Sequence, residues 1–249
     1  MLVLLLFLLL MLILALRRQE TFTTERNAMV IVEPRPHAHL KRVLENFDDH
    51  MPASYVMYVF HGLSHSAFAQ EATANVRRRC IRISLEQDNL TAEQYNALLK
   101  TRDFWDRVHA ENILVFQTDT VLCGAADMSR FERFDYIGCP FSDGGTGKHP
   151  VWGNEPFYGI GGLSFRKKSA MLACIDRAGH SDNSAEDVFF SNCQHANEPR
   201  PTSHDLQAFC TQHKFVGPSL GGHQIRNLPA EDKRDFLRYC PASMFMADR

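Results

Sequence analysis

The sequence has almost no net charge and no repeated or low-complexity unit in its globular part. Its 249 residues carry 27 Lys and Arg against 29 Asp and Glu, a formal net charge of -2. This balance does not provide the basic surface that nucleic-acid binding requires, so we expect no nucleic-acid partner. With 45% hydrophobic residues, the chain is long enough to bury one sizeable core.

Two common phosphate-binding motifs are absent. Gly147-Lys148 resembles part of a P-loop, but Ser142 stands where the motif needs glycine and His149 where it needs Ser or Thr. The fingerprint G-x-G-x-x-G is also missing, so we expect no Rossmann dinucleotide cofactor. We expect residues 142–150 to form a mobile loop. Gly159–Ser164 is either a tight turn into a strand or a backbone that approaches a ligand closely.

Cysteine pairs of the C-x-x-C type are absent, and the seven cysteines are an odd number. We therefore expect no disulfide framework, with room for one or two bridges, and most cysteines acting as small buried hydrophobic residues. A zinc site is the weaker alternative, because the spacing matches no standard module. Its ligands would be Cys193, His195, Cys210 and His213.

The longest hydrophobic run covers residues 1–16 and is followed by Arg17-Arg18. As a helix it would be about 24 Å long, against roughly 30 Å for a bilayer core. It lacks the basic start and the cleavage site of a signal peptide. We expect residues 1–18 to be a membrane anchor (or an uncleaved signal), 19–27 a short stem and 28–249 one domain. This predicts a single-pass membrane protein, in the Golgi or ER if the source is eukaryotic, with the side of the domain left open.

Short apolar runs alternate with segments of helical spacing along the rest of the chain. The runs lie at 29–32, 55–60, 81–84 and 113–116. Helical spacing occurs between them, and the helix after Thr91 starts with the Thr-x-x-Gln pattern of a capping box. The alternation predicts βαβ units, and therefore a single α/β domain with a mostly parallel central sheet flanked by helices.

Polar residues follow the apolar run 113–116 directly, in the order Gln117, Thr118, Asp119. In open α/β sheets, ligands bind beyond the carboxyl ends of the strands. A carboxylate there can hold a divalent cation, which in turn holds a phosphate; the alternative is an Asp that turns the chain. Glu186-Asp187 opens a helix, where acidic residues also stabilise the macrodipole.

Five segments resemble GT-A-type glycosyltransferases, and within them a small family known only as a domain of unknown function. They are VIVEPRPHAHL (30–40), VFQTDTVLC (115–123), FDYIGCPF (134–141), YGIGGLSFRKKSAM (158–171) and EDVFFS (186–191), with GPSLGGH (217–223) as a weaker sixth. The resemblance implies a GT-A-like, Rossmann-like fold. It also implies transfer of a sugar from a nucleotide-sugar donor to an acceptor hydroxyl on a glycan, a protein or a small molecule.

The resemblance further implies which residues bind the donor. Residues after the first strand would lie near the base and ribose, and the glycines of the fourth segment would line the sugar and acceptor side. Ile160 lies between Gly159 and Gly161, at a position where the family more often has Asn. The donor-binding residues implied are Val32, Glu33, Arg35, Gln117, Thr118, Asp119, Gly161 and Gly162.

A cofactor and a catalytic base are implied in the same way. Asp119 matches the Asp-x-Asp metal motif, although only one Asp is present, and His223 is the candidate second ligand of Mn²⁺ or Mg²⁺. Asp187 is the implied base that takes the acceptor proton, with Glu186 as its alternative or as an acceptor orienter. A base placed this way implies inversion of the anomeric configuration.

Two other functions fit the sequence. A non-catalytic GT-A-like relative that binds sugar nucleotide or glycan is favoured by the lone Asp119 and by Ile160. A metal-dependent hydrolase or nucleotidyl transferase would need several clustered carboxylates or histidines. The sequence offers only Asp119, Glu186, Asp187 and His223 for such a cluster, so this function ranks last.

Overall fold

The computed structural model describes residues 25–141, 157–178, 183–193 and 199–246. The strands are β1 (Asn27–Val32), β2 (Tyr55–His61), β3 (Cys80–Ser84), β4 (Asn112–Phe116), β5 (Thr120–Leu122), β6 (Tyr136–Cys139), β7 (Ile160–Lys167), β8 (Cys210–Thr211) and β9 (Gly221–His223). The α-helices are α1 (Leu40–His50), α2 (Ser66–Ala72), α3 (Ala92–Leu99), α4 (Arg102–Asp106), α5 (Lys168–Ala178), α6 (Glu186–Asn192), α7 (Ser203–Phe209) and α8 (Ala230–Tyr239). Three short 3-10 turns complete the description, at Leu63–His65, Ile225–Asn227 and Pro241–Met246.

Six strands form the central sheet in the order β3-β2-β1-β4-β7-β6. The first four are parallel, and β7 runs antiparallel to both of its neighbours. A smaller sheet has the order β5-β9-β8. The predicted α/β domain with a mostly parallel sheet and flanking helices is therefore confirmed.

Alternating side chains of the strands supply two apolar layers. Met29 and Ile31 of β1 face a cluster with α1 and α7, whereas Val30 and Val32 face a second cluster that contains residues of α4, α5 and α6. This alternation is the period of two that any strand imposes on its side chains. Because helices cover both faces, the sheet is the middle layer of three and its strand ends form the accessible edges.

The start of α3 follows the sequence closely. The Thr91 hydroxyl accepts a hydrogen bond from the Gln94 amide N–H, and the Gln94 side chain accepts one from the Thr91 N–H. The capping box predicted here is confirmed. The helical region after it is broken into α3 and α4, and a second cap at Thr101 starts α4.

The predicted localisation as a single-pass membrane protein needs correction. Within the residues that the structure describes, no helix has both the length and the apolar character needed to cross a bilayer. The predicted anchor (1–18) and most of the predicted stem (19–27) lie outside these residues, as does the loop predicted at 142–150.

The prediction about cysteines is wrong. Six of the seven form disulfide bonds, which are Cys123–Cys240, Cys139–Cys210 and Cys174–Cys193. Cys80 is free. The alternative of a zinc site fails as well, because two of its four proposed ligands, Cys193 and Cys210, are consumed in these bonds; His195 lies outside the described residues.

Candidate functional site

A cavity of about 280 Å³ lies at the carboxyl ends of β1 and β4. These strands are parallel neighbours with Ile31 opposite Phe116, so the residues that follow each strand reach the same edge of the sheet. Six of the residues predicted to bind a donor line this cavity: Val32, Glu33, Arg35, Gln117, Thr118 and Asp119. Sequence reasoning assigned no role to several others, which are His37, His39, Tyr95, Gln224, Arg226 and Met246.

One wall of the cavity is fixed by Glu33 and Arg35. The Glu33 carboxylate accepts hydrogen bonds from the Arg35 amide at 3.1 Å, from Nε at 2.9 Å and from Nη2 at 3.0 Å. These bonds with Glu33 raise the pKa of Arg35. The Glu33 side chain is only 6% exposed, whereas that of Arg35 is 55% exposed. The pair therefore presents a held guanidinium at the cavity rim.

Asp119 lies in the turn between β4 and β5. The Thr120 hydroxyl donates to the Gln117 carbonyl at 2.6 Å, which tightens the turn and leaves the Asp119 carboxylate 29% exposed. Burial alone would raise the pKa of Asp119, but the neighbouring His223 imidazole and the charge of Arg226 outweigh it and lower the pKa. At neutral pH the cavity thus holds an ionised carboxylate.

His223 is the last residue of β9 and lies beside this carboxylate. Strand β9 pairs with β5 in a register that sets His223 opposite Thr120. The imidazole is 2% exposed, and its Nδ1 lies 2.9 Å from Oε1 of Gln212. An amide oxygen can only accept, so Nδ1 carries a proton, and in the neutral ring Nε2 has a free lone pair.

The Nε2 atom of His223 is an unpaired polar atom. It is buried, and it has no hydrogen-bond partner of normal geometry among the described residues. Oδ1 of Asp119 is 3.4 Å away, which is longer than a well-formed hydrogen bond. A buried polar group without a partner costs roughly 1–3 kcal/mol, so a ligand that pairs with Nε2 would recover this energy.

The two side chains fit a divalent cation. An ion about 2.1 Å from each donor atom can bridge a nitrogen and an oxygen that are 3.4 Å apart. Metal-binding histidines are generally oriented by a hydrogen bond from their other ring nitrogen, and Nδ1 of His223 makes such a bond to Gln212. The described residues contain no group of three or more His, Cys, Asp or Glu side chains placed to hold a metal. Phosphate and water oxygens would have to complete the coordination, as is usual for Mg²⁺.

The two predicted glycines lie next to the site rather than in the cavity lining. A Cβ atom at position 162 would overlap the imidazole of His223, so only glycine leaves the ring its space. A Cβ atom at position 161 would overlap Oε1 of Glu186. Gly161 also donates its amide N–H to Oδ2 of Asp187 at 3.1 Å. Gly162 therefore packs against His223, and the adjacent Gly161 packs against the acids that begin α6.

The adjacent acids of α6 lie in different surroundings. Asp187 is partly buried; its Oδ2 accepts from Gly161, and its Oδ1 accepts from the Val188 amide at 2.8 Å. Glu186 is buried, and both of its oxygens accept from the guanidinium of Arg166, at 2.5 and 3.0 Å. Burial raises the pKa of Glu186, and the charge and hydrogen bonds of Arg166 oppose this rise.

Two neighbours of these residues, Gln212 and Arg166, were not predicted from the sequence as part of the site. Nothing in the local sequence marks Gln212. Arg166 does leave a signal, because it is a charged residue within the strand β7 (Ile160–Lys167), where a buried charge requires a partner.

The comparisons with known proteins identify a family but no activity. The family model described as "Protein of unknown function (DUF5672)" matches residues 80–220. This range contains Asp119, Gly161, Gly162, Arg166 and the two acids of α6, and it ends three residues before His223. No curated protein matches the chain.

Proposed function

The chain belongs to the family described as "Protein of unknown function (DUF5672)", and we propose that it is a glycosyltransferase with a GT-A-like fold. It transfers a sugar from a nucleotide-sugar donor to an acceptor hydroxyl, assisted by Mn²⁺ or Mg²⁺. The resemblance of segments 30–40, 115–123, 134–141, 158–171 and 186–191 to GT-A-type enzymes supports this proposal.

The observation that carries the proposal is the unpaired Nε2 of His223 beside Asp119. The imidazole is oriented by Gln212, and it faces an ionised carboxylate at the end of a cavity that lies at the carboxyl edge of the sheet. Asp119 and His223 would hold the cation. When bound, the cation would stabilise the negative charge that develops on the departing nucleoside diphosphate.

Basic side chains around the cavity suit the rest of the donor. Arg226 lines the cavity and is close enough to lower the pKa of Asp119. Its charge favours the diphosphate next to the cation site. The Glu33–Arg35 pair at the other wall presents planar hydrogen-bonding groups to the base or ribose.

Asp187 takes the proton of the acceptor hydroxyl in this proposal. Its carboxylate is partly exposed and is held by two backbone amides, those of Gly161 and Val188. Glu186 is the less suitable base, because it is buried and ion-paired with the Arg166 guanidinium. Attack by the acceptor from the face opposite the diphosphate inverts the anomeric carbon.

Release of nucleoside diphosphate from a panel of nucleotide sugars, with Mn²⁺ present, tests the activity. General-base catalysis contributes about 10²- to 10⁴-fold, so Asp187→Asn should lower the transfer rate by that factor while nucleotide binding persists. Full turnover in Asp187→Asn would remove Asp187 as the base. Release of pyrophosphate or phosphate without nucleoside diphosphate would indicate a hydrolase or nucleotidyl transferase instead.

One observation favours a second candidate, a non-catalytic relative that binds sugar nucleotide or glycan. The second Asp of an Asp-x-Asp motif would fall on Val121, which is fully buried in an apolar cluster with Ile225 and Phe236. No second carboxylate can come from that position. A pure binder would be stabilised by nucleotide sugar and release no nucleoside diphosphate.

A further inference from the structure

Arg166 is a fully buried cation in the central sheet. It lies in β7, opposite Ile113 of β4 and Tyr136 of β6, and its side chain is 0% exposed. Its guanidinium lies 5.2 Å from the ring centre of Tyr136 and 5.6 Å from that of Phe190. A charge in such a layer costs several kcal/mol unless it is paired, so its partners show what holds it there.

The partners of Arg166 lie next to both residues of the hydrogen bond between Gly161 and Asp187. Nη1 and Nη2 donate to Glu186, the residue before Asp187, and Nη2 also approaches the Gly161 carbonyl at 3.4 Å. Nε donates to the Ser164 hydroxyl at 2.9 Å, and that hydroxyl donates to the same Gly161 carbonyl at 3.0 Å. The guanidinium thus links the start of α6 to Gly161 near the beginning of β7.

We infer that Arg166, through its ion pair with Glu186, is a positioning residue that fixes the Asp187 carboxylate against the Gly161 amide. The inference rests on the proposed function, because it gives Asp187 the role of base. Arg166 itself is not among the residues that line the cavity of about 280 Å³, and its side chain is 0% exposed. Glu186 accordingly acts as the link between Arg166 and α6.

Stability alone does not explain this pair. Replacing a buried ion pair by apolar residues of similar volume is often neutral or stabilising. What such residues could not supply is a fixed direction, because a guanidinium that donates to a carboxylate through two parallel bonds defines the orientation of both groups. A displacement of about 1 Å at a catalytic group can cost 10²-fold in rate, so a fixed direction matters most at a base.

Glu186→Gln in the full-length chain is the principal test. The amide keeps the shape of Glu186 but cannot accept both guanidinium bonds. We expect kcat for nucleoside diphosphate release to fall by roughly 10²-fold, with KM for the donor changed less than threefold. Amide hydrogen exchange at Gly161 should become faster, because its N–H loses the fixed Asp187 acceptor. Arg166→Lys, which keeps the charge but loses the fork, should give a smaller fall in kcat.

Asp48→Asn is the matched control. Asp48 lies on α1 and pairs with Arg78, which lies just before β3. Both side chains are buried: Asp48 is 3% exposed and Arg78 is 9% exposed. This variant should be destabilised with kcat and the exchange of Gly161 unchanged. If Glu186→Gln behaves in the same way as this control, the inference is overturned. If the unmodified chain releases no nucleoside diphosphate from any donor, the proposed function fails, and the exchange rate at Gly161 alone decides whether Arg166 positions Asp187.

Discussion

Nε2 of His223 lies 3.4 Å from Oδ1 of Asp119, although the two residues belong to distant parts of the chain. The antiparallel pairing of β5 with β9 accounts for their proximity. Asp119 immediately precedes β5, and His223 ends β9 opposite Thr120, the first residue of β5. The Gln224 amide then donates to the Asp119 carbonyl at 3.0 Å, which closes the ladder. Two short strands thus set the distance between the proposed metal ligands.

Gly162→Ala should disturb this geometry. The new methyl group would overlap the imidazole of His223, and inserting a methyl into a packed site costs typically 1–3 kcal/mol. We expect a lower melting temperature and loss of the manganese-dependent stabilisation by nucleotide, both measured by thermal unfolding.

Gly124→Ala is the control for that variant. A Cβ atom at position 124 meets no atom within 4 Å among the described residues. It should shift the melting temperature by no more than about a degree, and the response to manganese should be unchanged. An equal response of both glycine variants to nucleotide would show that His223 tolerates displacement.

The disulfide bond Cys123–Cys240 should stabilise the segment that carries the cavity residues Arg226 and Met246. It joins the residue after β5 to the residue after α8. Removing a native disulfide typically costs 2–5 kcal/mol. We expect the double variant Cys123→Ser with Cys240→Ser to unfold at a lower denaturant concentration, by urea titration.

Cys80→Ser provides the comparison, since Cys80 is the free cysteine. It should leave the urea midpoint nearly unchanged. Mass spectrometry of the oxidised chain should show six cysteines protected from alkylation, and finding all seven alkylated would contradict the pairing.

Acid should destabilise the fold partly through Asp48. Burial tends to raise the pKa of Asp48, but hydrogen bonds from Arg77 and Arg78 outweigh burial and lower it. The folded state therefore binds the proton more weakly than the unfolded state, whose pKa is about 3.9. The resulting stability is present above roughly pH 4 and is lost as pH falls through the folded pKa.

Asp48→Asn should remove that acid-dependent part of the stability. Breaking a buried ion pair by removing one partner costs roughly 3–5 kcal/mol, so the variant should be less stable at pH 7 and its stability should depend less on pH below 4. Measurements of the free energy of unfolding from pH 2 to pH 7 would show this. An unaltered pH dependence would mean that other carboxylates dominate.

Much of the fold follows from local sequence signals. The apolar runs became β1 to β4, and the Thr91–Gln94 pattern became a capped helix, because periodicity and capping act within a few residues. The reversed direction of β7 and the small β5-β9-β8 sheet had no comparable signal. Both depend on pairing between segments far apart in the chain, as do the three disulfide bonds.

The residues of the candidate site also fall into those that the sequence could place and those that it could not. Asp119 could be placed at the ligand-binding edge because it follows an apolar strand, whereas the role of Glu33 was implied only by the resemblance. The pairing of Arg166 with Glu186 and of Gln212 with His223 could not be predicted, because each partner lies on a different element. The resemblance implied Asp187 as the base and Glu186 as its alternative, but the burial of Glu186 and its pairing with Arg166 had no signal in the sequence.

The most direct test of the proposed site is thermal unfolding of the full-length chain with a panel of nucleoside diphosphates, with and without Mn²⁺. A ligand at a hundredfold excess over its Kd adds about 2.7 kcal/mol to the free energy of unfolding. We predict stabilisation by one nucleotide that requires manganese and is lost in both Asp119→Asn and His223→Gln. Absence of stabilisation by every nucleotide, or an equal effect without manganese, would contradict a metal-assisted donor site at Asp119 and His223.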